Sequence, residues 1–162
     1  MDADRTLWAR RGGSCKVGGV PLSTTRPIGN HLIQVEGDLI VVRLSGEFTL
    51  SDIKEFYALA SELGRKQEIY CIGDMVKPCT ISAEARSYGV RSEQKLNIVC
   101  TAVFGINPVM RALLVMISRA AHLLGKSSSQ TGLKFFANET QARGCITDVR
   151  EQRRASAAPG NP

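Results

Sequence analysis

The chain alternates between short apolar runs and longer stretches with apolar residues every three or four positions. His31–Glu36 and Leu39–Ser45 are strand-like runs joined across Gly37-Asp38, where a glycine at the first central position suits a type II′ hairpin turn. Ile40, Val42 and Leu44 share one face of the second run, and Leu39, Val41 and Arg43 share the other. Both faces are largely apolar, which predicts a strand inside a sheet with helices on both sides. Gly46-Glu47-Phe48 leads to Thr49, answered by Asp52, a spacing that predicts a capping box. Leu50, Ile53, Phe56, Tyr57, Ala60 and Leu63 then form one helical stripe, stopped by Gly64.

Ile69–Ile72 reads as a buried strand that breaks at Gly73-Asp74 and passes through an irregular loop into a helix over Ser82–Glu93. Asn97–Phe104 is a further strand. Gly105 to Pro108 then turns into a third helix, with Asn107 as its cap and Pro108 at the first helical position. Its core stripe is read as Met110, Leu113, Leu114, Ile117, Ala120, Ala121 and Leu124, ended by Gly125 and the run Ser127–Gln130. Leu133–Phe136 is a last strand, and Asn138 with Gln141 opens a final helix that fades after Arg150. The expected order is β-β-α-β-α-β-α-β-α. This is an α/β fold with a mixed sheet, an antiparallel hairpin first and mainly parallel strands after it, and about four helices.

Length bounds the organisation: 162 residues is a single-domain size. Residues 1–29 mix Arg, Gly, Ser, Thr and Pro without hydrophobic period and are expected to be a disordered lead, with residues 30–149 the domain and 150–162 a disordered tail. Trp8 is the lone large aromatic of the lead.

The net charge of +6 suggests nucleic acid until it is mapped. The lead carries five basic and two acidic residues and the tail three basic and one acidic, which leaves the middle at +1. A nucleic-acid interface concentrates its basic charge on the folded face, so this class is set aside. Five widely spaced cysteines without a Cys-x-x-Cys pair read as reduced, intracellular thiols and neither a disulfide framework nor a metal site. His31 and His122 have no ligand spacing around them. The first residues lack the apolar segment of a signal peptide, and Arg111, Arg119 and His122 interrupt the longest apolar helix. A cytoplasmic protein without cofactor or membrane span is expected.

Catalytic chemistry has little to stand on. Cys79 has no evident activating base, and Gly12-Gly13 and Gly18-Gly19 have neither the spacing nor the lysine of a phosphate-binding loop.

Several local phrases resemble the SpoIIAA-like branch of the STAS domains, which are related to anti-anti-sigma factors. They are Gly46-Glu47-Phe48-Thr49 with Asp52, Ile72-Gly73-Asp74, Ala102-Val103-Phe104-Gly105 with Arg111, and Phe136 with Glu139 and Ala142. The likeness covers roughly residues 31–147. Two departures stand out. The family's closing Trp-Leu is Cys145-Ile146 here, and its Asp-Ser-Ser-Gly phosphorylation site is missing from Asp74–Ser82. The resemblance implies a non-enzymatic regulatory module that binds a protein. Related lipid-transfer domains of the CRAL-TRIO type imply the alternative, a carrier or sensor with a small apolar or anionic ligand between the sheet and helix 108–124.

In open α/β sheets ligands and partners meet the carboxyl edge of the strands, which nominates Asp74, Gly105, Asn107 and Arg111. The last three form a glycine turn, a helix start and an arginine that together suit an anion. The plainer readings are a turn residue for Asp74 and a snorkelling side chain for Arg111. Thr80 and Ser82 are candidate phosphoacceptors, with Ser82 as a helix cap the simpler role. The wide apolar surface of the third helix is read as core first, and as a homodimer face or pocket wall second.

Overall fold

In the computed structural model, residues 23–92, 96–124 and 132–157 are described. Most of the lead with Trp8 and Cys15, the end of the second helix at Glu93, the Gly125 and Ser127–Gln130 stop, and residues 158–162 lie outside them. The elements are β1 (Ser23–Ile28), β2 (His31–Glu36), β3 (Leu39–Arg43), β4 (Gly46–Phe48), α1 (Leu50–Gly64), β5 (Ile69–Asp74), β6 (Cys79–Ile81), α2 (Ala83–Arg91), β7 (Ile98–Phe104), α3 (Pro108–Leu123), β8 (Leu133–Phe136) and α4 (Glu139–Ala157).

Six strands form one sheet in the order β1-β2-β3-β5-β7-β8. β1, β2 and β3 pair antiparallel, and β3, β5, β7 and β8 pair parallel. This is the mixed sheet expected from the sequence. Gly37 has φ +65° and no described non-glycine residue has positive φ, as a type II′ turn requires.

β3, β5 and β7 are apolar along most of their length because both of their faces are covered. On one side Ile40, Val42, Ile69, Cys71, Ile98 and Val103 join α1, α2 and α3 in a single core. On the other, Leu39, Val41, Tyr70, Ile72, Val99 and Phe104 meet α4 alone. Ala142, Ile146 and Val149 recur at helical spacing on the buried side of α4, and Ile146 is only 1% exposed. Ile146, of the Cys145-Ile146 pair that departs from the resembled pattern, therefore anchors the last helix. Three arginines clasp the same helix: Arg143 to Glu36, Arg150 to Asp38 and Arg153 to Glu68.

Part of the stretch read as a disordered lead is a strand. Ser23–Ile28 is a strand paired residue by residue with β2 across Gly29-Asn30. Its first five residues are exposed, so it has no apolar run to betray it, and it is held by main-chain pairing. Pro27 stands opposite Leu32 on this edge strand. At the other end α4 continues past Arg150 to Ala157. The loop expected between β5 and α2 also contains a strand, β6, which pairs in parallel with β4. Leu44 N–H donates to the Asp74 carbonyl and Gly46 N–H to that of Pro78, so this small sheet prolongs the β3–β5 pairing.

α3 departs most from expectation. Only Met110 and Ala121 are buried, Leu113, Leu114, Ile117 and Ala120 are half-buried, and Leu124 is exposed. The helix lies at the margin of its core, so its apolar circumference exceeds what the sheet can cover.

Candidate functional site

The carboxyl ends of β5 and β7 lie side by side, with Asp74 opposite Phe104. Past them the chain turns twice, and the turns touch. Met75 N–H donates to the Phe104 carbonyl at 3.0 Å. Gly105, at φ +71°, packs so closely on the next residue that a Cβ would lie 2.5 Å from Val76 Cγ2 and 2.8 Å from its nitrogen. Only glycine fits both constraints.

Asp74 serves this junction in two ways. Its Oδ1 accepts the Val76 N–H at 3.0 Å, the turn role that was the simpler reading, and its Oδ2 is 3.6 Å from Arg43 Nε. Arg43 also donates to Gln34 and lies 3.6 Å from Glu139, tying β2, β3, β5 and α4 at this end. Asn107 accepts the Met110 N–H at 2.8 Å and so caps α3. Arg111 is exposed and lies over the Phe135 ring at 4.8 Å from its centroid. Asp74 and the Gly105–Asn107 turn are thus brought together through Val76, while Arg111 is directed to β8.

Thr80 is exposed on β6, opposite Glu47. Ser82 accepts the Ala85 N–H at 3.1 Å and is the N-cap of α2, as read from the sequence.

The edge carries an apolar surface that sequence period could not distinguish from core. Val76 is 67% exposed and Val109 82%, on either side of the Gly105–Asn107 turn. Met116 and Leu123, 67% and 85% exposed, continue the line along α3. The charged residues of α3 are Arg111 and Arg119, with His122 beside them and no acidic residue.

A second constellation escaped the sequence reading. His31 is buried, with Nε2 3.5 Å from Asp52 Oδ2 and 3.3 Å from the Glu47 carbonyl. Its Nδ1 accepts the Ser45 N–H at 3.1 Å, which assigns the ring proton of the neutral form to Nε2. Asp52 Oδ2 accepts both the N–H and the hydroxyl of Thr49, completing the capping box. Burial raises the Asp52 carboxyl, but the Thr49 donors and then His31 outweigh it and leave the group below the usual carboxylate range. Every polar atom here has a partner and the ring faces Phe48, so the pair fastens β2 to the start of α1.

Thiol chemistry has no support at these positions. Burial pushes the Cys71 thiol up to about 12, and burial with the Asp74 charge raises Cys79. Among the described residues no cluster of His, Cys, Asp and Glu could hold a metal ion, and no helix is long and apolar enough to cross a membrane.

No sequence-family profile matches the chain, and no curated protein matches it. Solved structures do. The anti-sigma factor antagonist SpoIIAA in its unphosphorylated form is 14% identical with a TM-score of 0.41, over 80% of this chain and 98% of that one. An uncharacterised protein of the DUF3478 family with a SpoIIAA-like fold, from Shewanella loihica, is 14% identical with a TM-score of 0.46, over 83% and 99%. The Bacillus cell fate determinant SpoIIAA in the phosphorylated form is 13% identical with a TM-score of 0.40, over 77% and 99%.

Proposed function

We propose that this chain is a cytoplasmic, non-enzymatic regulatory module that works by binding another protein. Its contact face is the carboxyl edge of the sheet together with the outer side of α3. The observation that carries this reading is the line of exposed Val76, Val109, Met116 and Leu123. Large apolar side chains gathered on one side of a surface helix mark an interaction site. Val109, Met116 and Leu123 recur every seven residues, the period that keeps a narrow seam facing a partner helix.

Asp74, Gly105 and Asn107 hold the near end of this face in shape, and Arg119, exposed on α3, gives it positive charge. A partner with acidic flanks matches that charge best. Of the two candidate phosphoacceptors Thr80 offers the exposed hydroxyl, whereas Ser82 is occupied as a cap.

The test is affinity purification from native cells with the wild-type protein and with Met116→Glu and Leu123→Glu variants. A partner retained by the wild type in near-equal amount and lost by both variants is the expected result. Identical partner sets for all three proteins would remove this face from the function.

A further inference from the structure

On the opposite flank of α3, facing the sheet, lies a cavity of about 210 Å³. Its apolar wall comes from Ile53 and Tyr57 of α1, Ala85 of α2, Leu114 and Ile117 of α3, and Leu133 of β8. Gly89 of α2 also lines it, opposite Ile53 and Tyr57, and its lack of a side chain leaves the space between α1 and α2 unfilled. A cavity of roughly 150 Å³ already has room for benzene, so this half-open space suits an organic group of about ten non-hydrogen atoms.

The polar side chains of the wall are Arg86, Thr101 and Ser118. Arg86 is half-buried, its main-chain N–H is used within the first turn of α2, and among the described residues its guanidinium has no hydrogen bond, ion pair or ring contact. The other half-buried arginines among the described residues are engaged: Arg43 with Asp74, Arg143 with Glu36, Arg150 with Asp38 and Arg153 with Glu68. A half-buried arginine on an apolar wall, with no counter-charge among the described residues, favours an anion there.

We propose that this cavity binds a small apolar monocarboxylate, with its hydrocarbon part between α2 and α3 and its carboxylate on Arg86. The Ser118 hydroxyl supplies a second donor on the same wall. The site is separate from the outer face of α3 and does not depend on the protein-contact reading. It also leaves Arg111 out, because that side chain is not part of the wall.

Octanoate, with octanol as its uncharged counterpart, tests this by titration of the full-length protein in amide-resolved NMR. Saturable shifts at Gly89 and Ser118 with octanoate are expected. Arg86→Met keeps the apolar stem and removes the charge, so octanoate affinity falls about tenfold or more while octanol binding is unchanged. Ala121, buried on α3, also lines the space, and Ala121→Leu fills it and abolishes binding of both. Ile117→Phe, at a half-buried position, is the second filling variant should the first not fold. Unmoved amides with octanoate, or equal octanoate affinity in wild type and Arg86→Met, would overturn the proposal.

Discussion

Gly29 stands directly against the Asp52 carboxylate: a Cβ placed on it would lie 2.4 Å from Oδ1. Its φ of +55° is also one that other residues adopt only with strain. Gly29→Ala must therefore twist the β1–β2 turn or push Asp52 out of the capping box. Strain and a weakened cap together lower stability by about 2 kcal/mol. Urea denaturation checks this, and an unchanged midpoint would show that the turn relaxes freely.

Acid should attack the same region first. Asp52 lies below its ordinary range, and so does Glu36, chiefly because Arg143 donates to it at 2.8 and 3.1 Å. A carboxyl depressed in the folded state adds stability that is complete above its unfolded value of about 4 and is lost as pH falls through the folded value. Stability measured from pH 6 to pH 2 should decline in the acid part of that range. Asp52→Asn should decline less steeply, and a parallel pair of curves would exclude Asp52 as a source of the slope.

Two methionines of α3 separate core from contact face. Met110 is 7% exposed and Met116 67%. Met110→Ala should cost about 2 kcal/mol or more through lost packing. Met116→Glu should change stability by no more than about 0.5 kcal/mol. Thermal unfolding of both variants decides, and a large loss in Met116→Glu would mean that the outer side of α3 is packed.

Cysteine accessibility gives an independent readout. Cys71 and Cys100 are buried, and Cys71 is also held as the thiol by burial. Neither should react with iodoacetamide at pH 8 in the native protein, while the half-buried Cys145 and Cys79 label more readily. Peptide mass spectrometry reads the order, and early labelling of Cys71 would contradict a core closed on both faces.

What was legible in the sequence is what depends on neighbours along the chain. Thr49 with Asp52, Asn107 with Met110 and Ser82 with Ala85 each settle a helix start within three residues. The apolar runs of β3, β5 and β7 declare strands that are covered twice. β1 was missed because Ser23 to Pro27 face water, although Gly29-Asn30 repeats the glycine-first turn recognised at Gly37-Asp38. β4 and β6 are three residues each and exist only through their pairing with one another. The His31–Asp52 contact likewise joins a strand to a helix cap, a proximity no spacing rule encodes. On α3 the hydrophobic period was right about the helix but silent about how much of its girth the sheet could hide. The pairing of Asp74 with its own turn, by contrast, is the common behaviour of aspartate after a strand.

Pro27 sets a limit on how this sheet can grow. Ile28 and His31 close the tight turn as an exchanging pair, so the next position along, Pro27, aims its nitrogen away from β2. That nitrogen carries no hydrogen, and Arg26 beside it adds a charge. An incoming strand would find a missing donor in the middle of its ladder. The β1 border thereby resists strand addition and the stacking of copies into ribbons along this edge.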